Sequence, residues 1–144
     1  MPDVSSEGPA VGYRLAEGMY GVFYALQAGM TELLEELHLS EALADALWQL
    51  SPGVPLPRGA LAERLQCDPS NVTFLVDRLE ERGLVERVAV ATDRRVKAVA
   101  LTAAGAATRD RLIQSAATSK VFARLTPGQQ DQLADLLFRC LAAS

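Results

Sequence analysis

A mostly α-helical fold carrying one small β-hairpin is what this sequence predicts, and three observations predict it. Apolar residues recur at helical spacing through most of the chain. A three-residue turn, Gln66-Cys67-Asp68, joins two of these helical stretches, and two short runs rich in Val and Ala follow Gly83. With 144 residues, 49% hydrophobic and 22% charged, the chain fits one compact domain or two small lobes sharing a core.

Residues 1–10 hold Pro, Asp, Ser and Glu with little to bury, and are expected to form a loose tail. A long helix should then fill 11–40. Leu15, Met19, Val22, Leu26, Leu33 and Leu37 lie near a heptad seam, while Tyr13, Tyr20 and Tyr24 fall on a second stripe. Two apolar faces on one helix require two partners, its own domain and a second chain, so a homodimer is expected. Gly18, Gly21 and Gly29 oppose this helix, each costing about 1 kcal/mol relative to Ala. Ser40 suits the N-cap of a short helix running to about Leu50, with Leu43, Leu47 and Leu50 inward, and Ser51-Pro52-Gly53 stops it. Prolines keep Val54-Pro55-Leu56-Pro57 extended, and Arg58 to Leu65 returns to helix with Leu61, Ala62 and Leu65 inward.

The next helix is the best marked. Asp68 is placed to cap it, Pro69 suits its first turn, Arg82 complements its C-terminal dipole, and Gly83 suits the position beyond its end. Val72, Leu75, Val76 and Leu79 recur at i, i+3, i+4 and i+7 and should be buried, leaving Ser70, Asn71, Thr73, Phe74, Asp77 and Arg78 outside. Leu84 to Val90 and Val96 to Leu101 fit two strands joined by 91–95, with Thr-Asp-Arg-Arg at the tip. Thr102 can cap a helix from Ala103 to Lys120. Thr126-Pro127-Gly128-Gln129 opens a last helix as a capping box, with Leu133, Leu137, Cys140 and Leu141 on one stripe.

Helix, tight turn, helix and hairpin is the winged helix-turn-helix plan, in which the second helix enters the DNA major groove and the hairpin reaches flanking backbone or minor groove. The expected organisation is a tail over 1–10, an N-terminal dimerisation helix over 11–40, a winged lobe over 41–102 and C-terminal dimerisation helices over 103–144. Ser70, Asn71 and Thr73 both donate and accept hydrogen bonds near the helix start, and Asn can pair with adenine through its amide. Arg94 and Arg95 present guanidinium forks suited to phosphate or a narrow minor groove. The formal charge of -4 is uneven: residues 58–101 carry a net +1 and the rest -5, so the winged segment alone could meet phosphate without net repulsion.

In order and at matching spacing, Leu61-Ala62-Glu63-Arg64-Leu65, Ser70-Asn71-Val72-Thr73, Val76-Asp77-Arg78-Leu79-Glu80, Gly83-Leu84-Val85, Asp93-Arg94-Arg95, Leu101-Thr102 and Gly105 resemble the MarR family of bacterial regulators. The resemblance is close over about Leu47 to Ala107. It implies a dimer on a pseudo-palindromic operator in double-stranded DNA, usually repressing, and released by a small phenolic or otherwise lipophilic effector. It puts Ser70, Asn71 and Thr73 in the recognition helix with Arg78, puts Arg94 and Arg95 in the wing, and gives Asp77 the role of orienting a wing arginine. Phe74 departs from it, standing where the family often has arginine: a ring can touch a thymine methyl but cannot grip phosphate. Val88-Ala89-Val90-Ala91 replaces the more polar, proline-containing wing of relatives.

Other functions find little support in the residues. No Gly-rich phosphate loop and no Cys/His pair at useful spacing occurs, and adjacent Glu35 and Glu36 point to different sides of a helix, so no catalytic residues, cofactor or metal are expected. Cys67 and Cys140 read as two buried or half-buried thiols, with a redox role for Cys67 as the functional alternative. Met19, Tyr20, Phe23, Tyr24 and Trp48 could line an effector pocket or be plain core. No long apolar run and no basic-then-apolar start occurs, so a cytoplasmic protein with no membrane partner is expected. The rival to a DNA-binding regulator is a winged-helix module that binds protein, favoured by the acidic total and by Phe74.

Overall fold

The computed structural model describes the backbone of residues 7–90 and 93–142 and the side chains of 10–90 and 97–142. Among the described residues, seven helices and three strands follow in the order α1 (Glu7–Leu37), α2 (Glu41–Gln49), β1 (Leu56–Pro57), α3 (Arg58–Leu65), α4 (Pro69–Glu81), β2 (Val85–Val90), β3 (Asp93–Leu101), α5 (Ala103–Ala117), α6 (Lys120–Ala123) and α7 (Pro127–Leu141). The chain divides into two compact units, one of residues 1–30 and 116–144 and one of residues 31–115.

The unit of residues 31–115 holds the core. Leu47, Leu50, Leu61, Val72, Val76, Leu79, Val85 and Leu112 are its largest fully buried side chains. Ser40 caps α2, its Oγ accepting from Leu43 N at 3.2 Å. The inward side of α2 is Ala44, Ala46 and Leu47, and Leu43 is only half-buried. The α3–α4 turn closes through Gln66 in the left-handed region at φ 53°. Asp68 stands at the N-cap of α4, but its side chain makes no capping bond, so Pro69 at the first helical position is the start signal the chain uses. On α4, Val72, Val76 and Leu79 are buried as their spacing predicts; Leu75, at the edge of that stripe, is half-buried.

The sheet has the order β1-β3-β2, all antiparallel. β1 was expected only as an extended stretch; it pairs Leu56 with Val99 and Pro57 with Ala98, extending the hairpin on its open edge. β3 starts at Asp93, before the expected Val96, so the backbone of Arg94 and Arg95 belongs to the strand and not to the connection.

Gly83 ends α4 at φ 71°, a conformation in which any side chain is strained. The hairpin then returns to α5 through a tight junction. Thr102 N donates to Leu84 O at 3.1 Å, Thr102 Oγ1 donates to Gly83 O at 2.6 Å, and Gly105 N donates to Thr102 Oγ1 at 3.0 Å. A Cβ on Gly105 would lie 1.8 Å from Leu84 O. Position 105 therefore has no room for a side chain.

The unit of residues 1–30 and 116–144 is built differently: none of its described residues is buried. Thr126 and Gln129 form the expected capping box of α7. α6 was not foreseen; α5 stops at Ala117, and Ser119 caps the extra turn by accepting from Val121 N. α1 begins at Glu7, ahead of the expected Val11, and residues 1–6 of the expected tail lie outside the described residues. Cys67 is half-buried as expected, whereas Cys140 is exposed. Cys140 and Leu141, both exposed, continue the α7 stripe of half-buried Leu133 and Leu137.

Candidate nucleic-acid interface

With Val72, Val76 and Leu79 locked in the core, helical geometry turns Ser70, Asn71, Phe74, Asp77 and Arg78 outward, and all five are exposed. Thr73 is half-buried and already engaged. Its Oγ1 donates to Pro69 O and accepts from Arg58 Nη1, both at 3.1 Å. Thr73 thus positions an arginine beside α4 instead of presenting a free hydroxyl. Phe74 is 56% exposed, and the guanidinium carbon of Arg78, one turn on, lies 5.2 Å from the centre of its ring.

Asp77 pairs with an arginine on the first hairpin strand. Arg87 of β2 donates Nη2 to Asp77 Oδ1 and Nη1 to Glu80 Oε1, the latter at 2.5 Å. The hydrogen bond to Asp77 is the main influence raising the Arg87 pKa above the ordinary arginine value; partial burial opposes it and Glu80 assists. The two carboxylates neutralise Arg87 and tie the hairpin to α4. The side chains of Arg94 and Arg95 lie outside the described residues.

Three cations that the sequence reading passed over gather nearby: Arg58, Arg87 and Lys97 line an open groove with Pro57, Gly59, Val76 and Val99. Arg87 had a signal. It shares the inward side of β2 with buried Val85, two residues before it, and a cation there needs a carboxylate partner. Arg58 and Lys97 had none, because β1 is what brings the start of α3 beside β3.

On the other flank of α4, a groove against α2 places Phe74 and Leu75 beside Ala42; one end holds Asp45, Cys67 and Asn71, the other His38, Leu43 and Arg82. Burial first, and Glu41 second, raise the Asp45 pKa above the usual carboxylate value. At the far end of α4, Arg82 donates to the carbonyls of Leu37 and His38, capping α1 where His38 takes φ 53°. No cluster of ligands suited to a metal occurs among the described residues. Of the suggested pocket residues, Tyr20 and Tyr24 stack at 6.4 Å and Phe23 meets Tyr24 edge-on at 5.9 Å, all exposed on α1 with Met19; Trp48 is exposed on α2.

A MarR family profile matches residues 39–97, from the end of α1 into β3. The HTH-type transcriptional repressor MdtR of Bacillus subtilis (strain 168) is 33% identical over 87 residues, which are 60% of this chain and 56% of that protein. The chain thus spans little more than half the length of that curated relative. A transcriptional regulator of the MarR family from Silicibacter pomeroyi, solved as a crystal structure, is 31% identical, with a TM-score of 0.70 over 86% of this chain and 85% of that one. The chain belongs to the MarR family. A MarR family protein of Mycobacterium tuberculosis, solved in complex with p-aminosalicylic acid, is 26% identical, with a TM-score of 0.68 over 89% of this chain and 98% of that one. The MarR-like spacing of Leu101-Thr102 and Gly105 has a physical reason here, since these residues form the junction that fixes the hairpin and the end of α4 to α5. No helix among the described residues of this MarR-family chain is long and apolar enough to cross a membrane.

Proposed function

We propose that this chain is a transcriptional repressor that binds double-stranded DNA as a homodimer and is released by a small lipophilic or phenolic effector. The observation that carries the reading is the outer face of α4. Ser70, Asn71, Phe74 and Arg78 stand exposed on a helix whose opposite face is fully committed to the core, and such a helix is what a major groove admits. Arg94 and Arg95, with Arg58 and Lys97, supply phosphate contacts, and the Asp77–Arg87 pair holds the hairpin in position.

The dimer is supported by the terminal unit, where Tyr13, Leu15, Tyr20, Phe138 and Leu141 are all more than 60% exposed and no described residue is buried. Apolar surface of that extent calls for a second copy. The effector reading rests on the exposed Met19, Tyr20, Phe23 and Tyr24 of α1. Its support is that one relative is solved with an aromatic acid bound and another is named a repressor.

Selection of bound duplexes from random DNA, with and without a small-molecule panel, tests the proposal. The expected result is an inverted repeat with half-sites about 10 base pairs apart or a multiple, and an affinity that falls steeply with salt. Salt-insensitive binding with no sequence enrichment would replace it with the protein-binding module.

A further inference from the structure

Arginines crowd the winged lobe, and most of those described already hold a partner within the protein. Arg58 donates to Thr73, Arg64 to Gln49 O, Arg82 to two carbonyls of the α1 end, and Arg87 to two carboxylates. Arg78 is the exception: among the described residues it donates no hydrogen bond and forms no ion pair. Its guanidinium lies over the Phe74 ring.

That contact leaves the Arg78 donors free for an outside partner. With its carbon 5.2 Å from the ring centre and no hydrogen-bond partner among the described residues, the guanidinium keeps its planar fork of N–H donors available beside the ring. The in-plane partner that the major groove offers to such a fork is the O6 and N7 pair of guanine. Phe74, meanwhile, keeps more than half of its surface open. The apolar feature that the groove offers to a ring is the thymine methyl. Residues four apart on a helix are separated by a rise of about 6 Å, close to two base-pair steps of about 3.4 Å each.

We infer that Phe74 and Arg78 act together as a two-part base reader, the ring taking a thymine methyl and the guanidinium a guanine within about two base pairs of it, in each half-site. This rests on the DNA-binding reading above. The ring has two tasks: it recognises the methyl and it holds the guanidinium in the plane from which guanine is read.

The test uses the duplex selected by the parent protein, with each thymine replaced in turn by deoxyuridine and each guanine by 7-deazaguanine. One deoxyuridine position per half-site should weaken binding about fourfold, the effect of losing one buried methyl. One 7-deazaguanine position within two base pairs should weaken it about tenfold. Phe74→Ala should be indifferent to that deoxyuridine and Arg78→Ala to that 7-deazaguanine. Phe74→Leu, which keeps an apolar contact but no ring face, should retain the deoxyuridine penalty and lose most of the guanine penalty. Thermal melts verify that the variants are folded. Sequence-specific binding by the parent without these penalties, or penalties unchanged in the variants, overturns the reader while DNA binding stands. A parent protein that selects no duplex overturns the DNA-binding reading itself.

Discussion

Replacing Gly105 by alanine should destabilise the protein, although alanine is the better helix former. The added Cβ would lie 1.8 Å from Leu84 O and 2.8 Å from Leu84 C. Relieving that overlap to an ordinary contact demands a movement of more than 1 Å, larger than a side-chain adjustment because both obstacles are backbone. Overpacking of this kind costs about 1–3 kcal/mol. The shift also strains the bonds from Thr102 to Leu84 O and Gly83 O, each worth about 1 kcal/mol. Against this stands a helix-propensity gain of about 1 kcal/mol, so the net loss is about 2–4 kcal/mol. Gly59→Ala, at a helical position with nothing within 4 Å, should instead raise stability by about 0.5 kcal/mol. Urea unfolding of both variants at one fixed protein concentration measures the pair. Equal stabilisation by the two substitutions would refute the junction as the reason for Gly105.

Gly83→Ala should cost about 1–2 kcal/mol, because position 83 sits at φ 71°; a variant as stable as the parent in the same urea titration would contradict this. Asp45→Asn should stabilise the protein at pH 7. The folded-state pKa of Asp45 is raised by burial and Glu41, so its charged form is penalised at all pH above that pKa; the gain should vanish as pH falls through the folded pKa toward about 3.9, where the carboxyl is neutral in both states. A gain that is the same at pH 7 and pH 3 would argue against the assignment. Arg87→Gln should weaken DNA binding by leaving Asp77 and Glu80 unpaired beside the interface, and adding Asp77→Asn to it should recover part of the loss; additive losses in a gel-shift titration would exclude this coupling. Phe74→Arg should steepen the dependence of DNA affinity on salt by roughly one unit of slope for one added phosphate contact.

The elements that the sequence disclosed best are those in which one local rule decides. Val72, Val76 and Leu79 repeat with the helical period, Gly83 sits where the chain must turn, and Thr126 with Gln129 caps α7 through its own neighbours. Legibility declined where distant partners decide. β1 is a strand only because β3 arrives beside it from some 40 residues downstream, and its prolines alone indicate no more than an extended stretch. Asp68 has the right residue type for a cap, yet Pro69 starts the helix without it. The site followed the same division. The outward set of α4 was readable from the buried set, whereas the engagement of Thr73 by Arg58, 15 residues earlier, and of Asp77 by Arg87, 10 residues later, depends on the fold.

The arginines show why composition misled about charge. A total of -4 suggests a chain that phosphate would repel, but a carboxylate already paired with a guanidinium contributes little field beyond the pair. Arg87 offsets one of the two charges of Asp77 and Glu80, so that cluster stays net negative, and Arg111 offsets Glu36 at 2.9 Å. The pairing costs the lobe one of its own cations, and Thr73 and backbone carbonyls engage three more. On the outer face of α4 itself, Arg78 is the cation with no ion pair among the described residues. As the proposed recognition helix, α4 would draw its discrimination from directed hydrogen bonds and apolar contact, which are the properties that Asn71, Arg78 and Phe74 place on its exposed face.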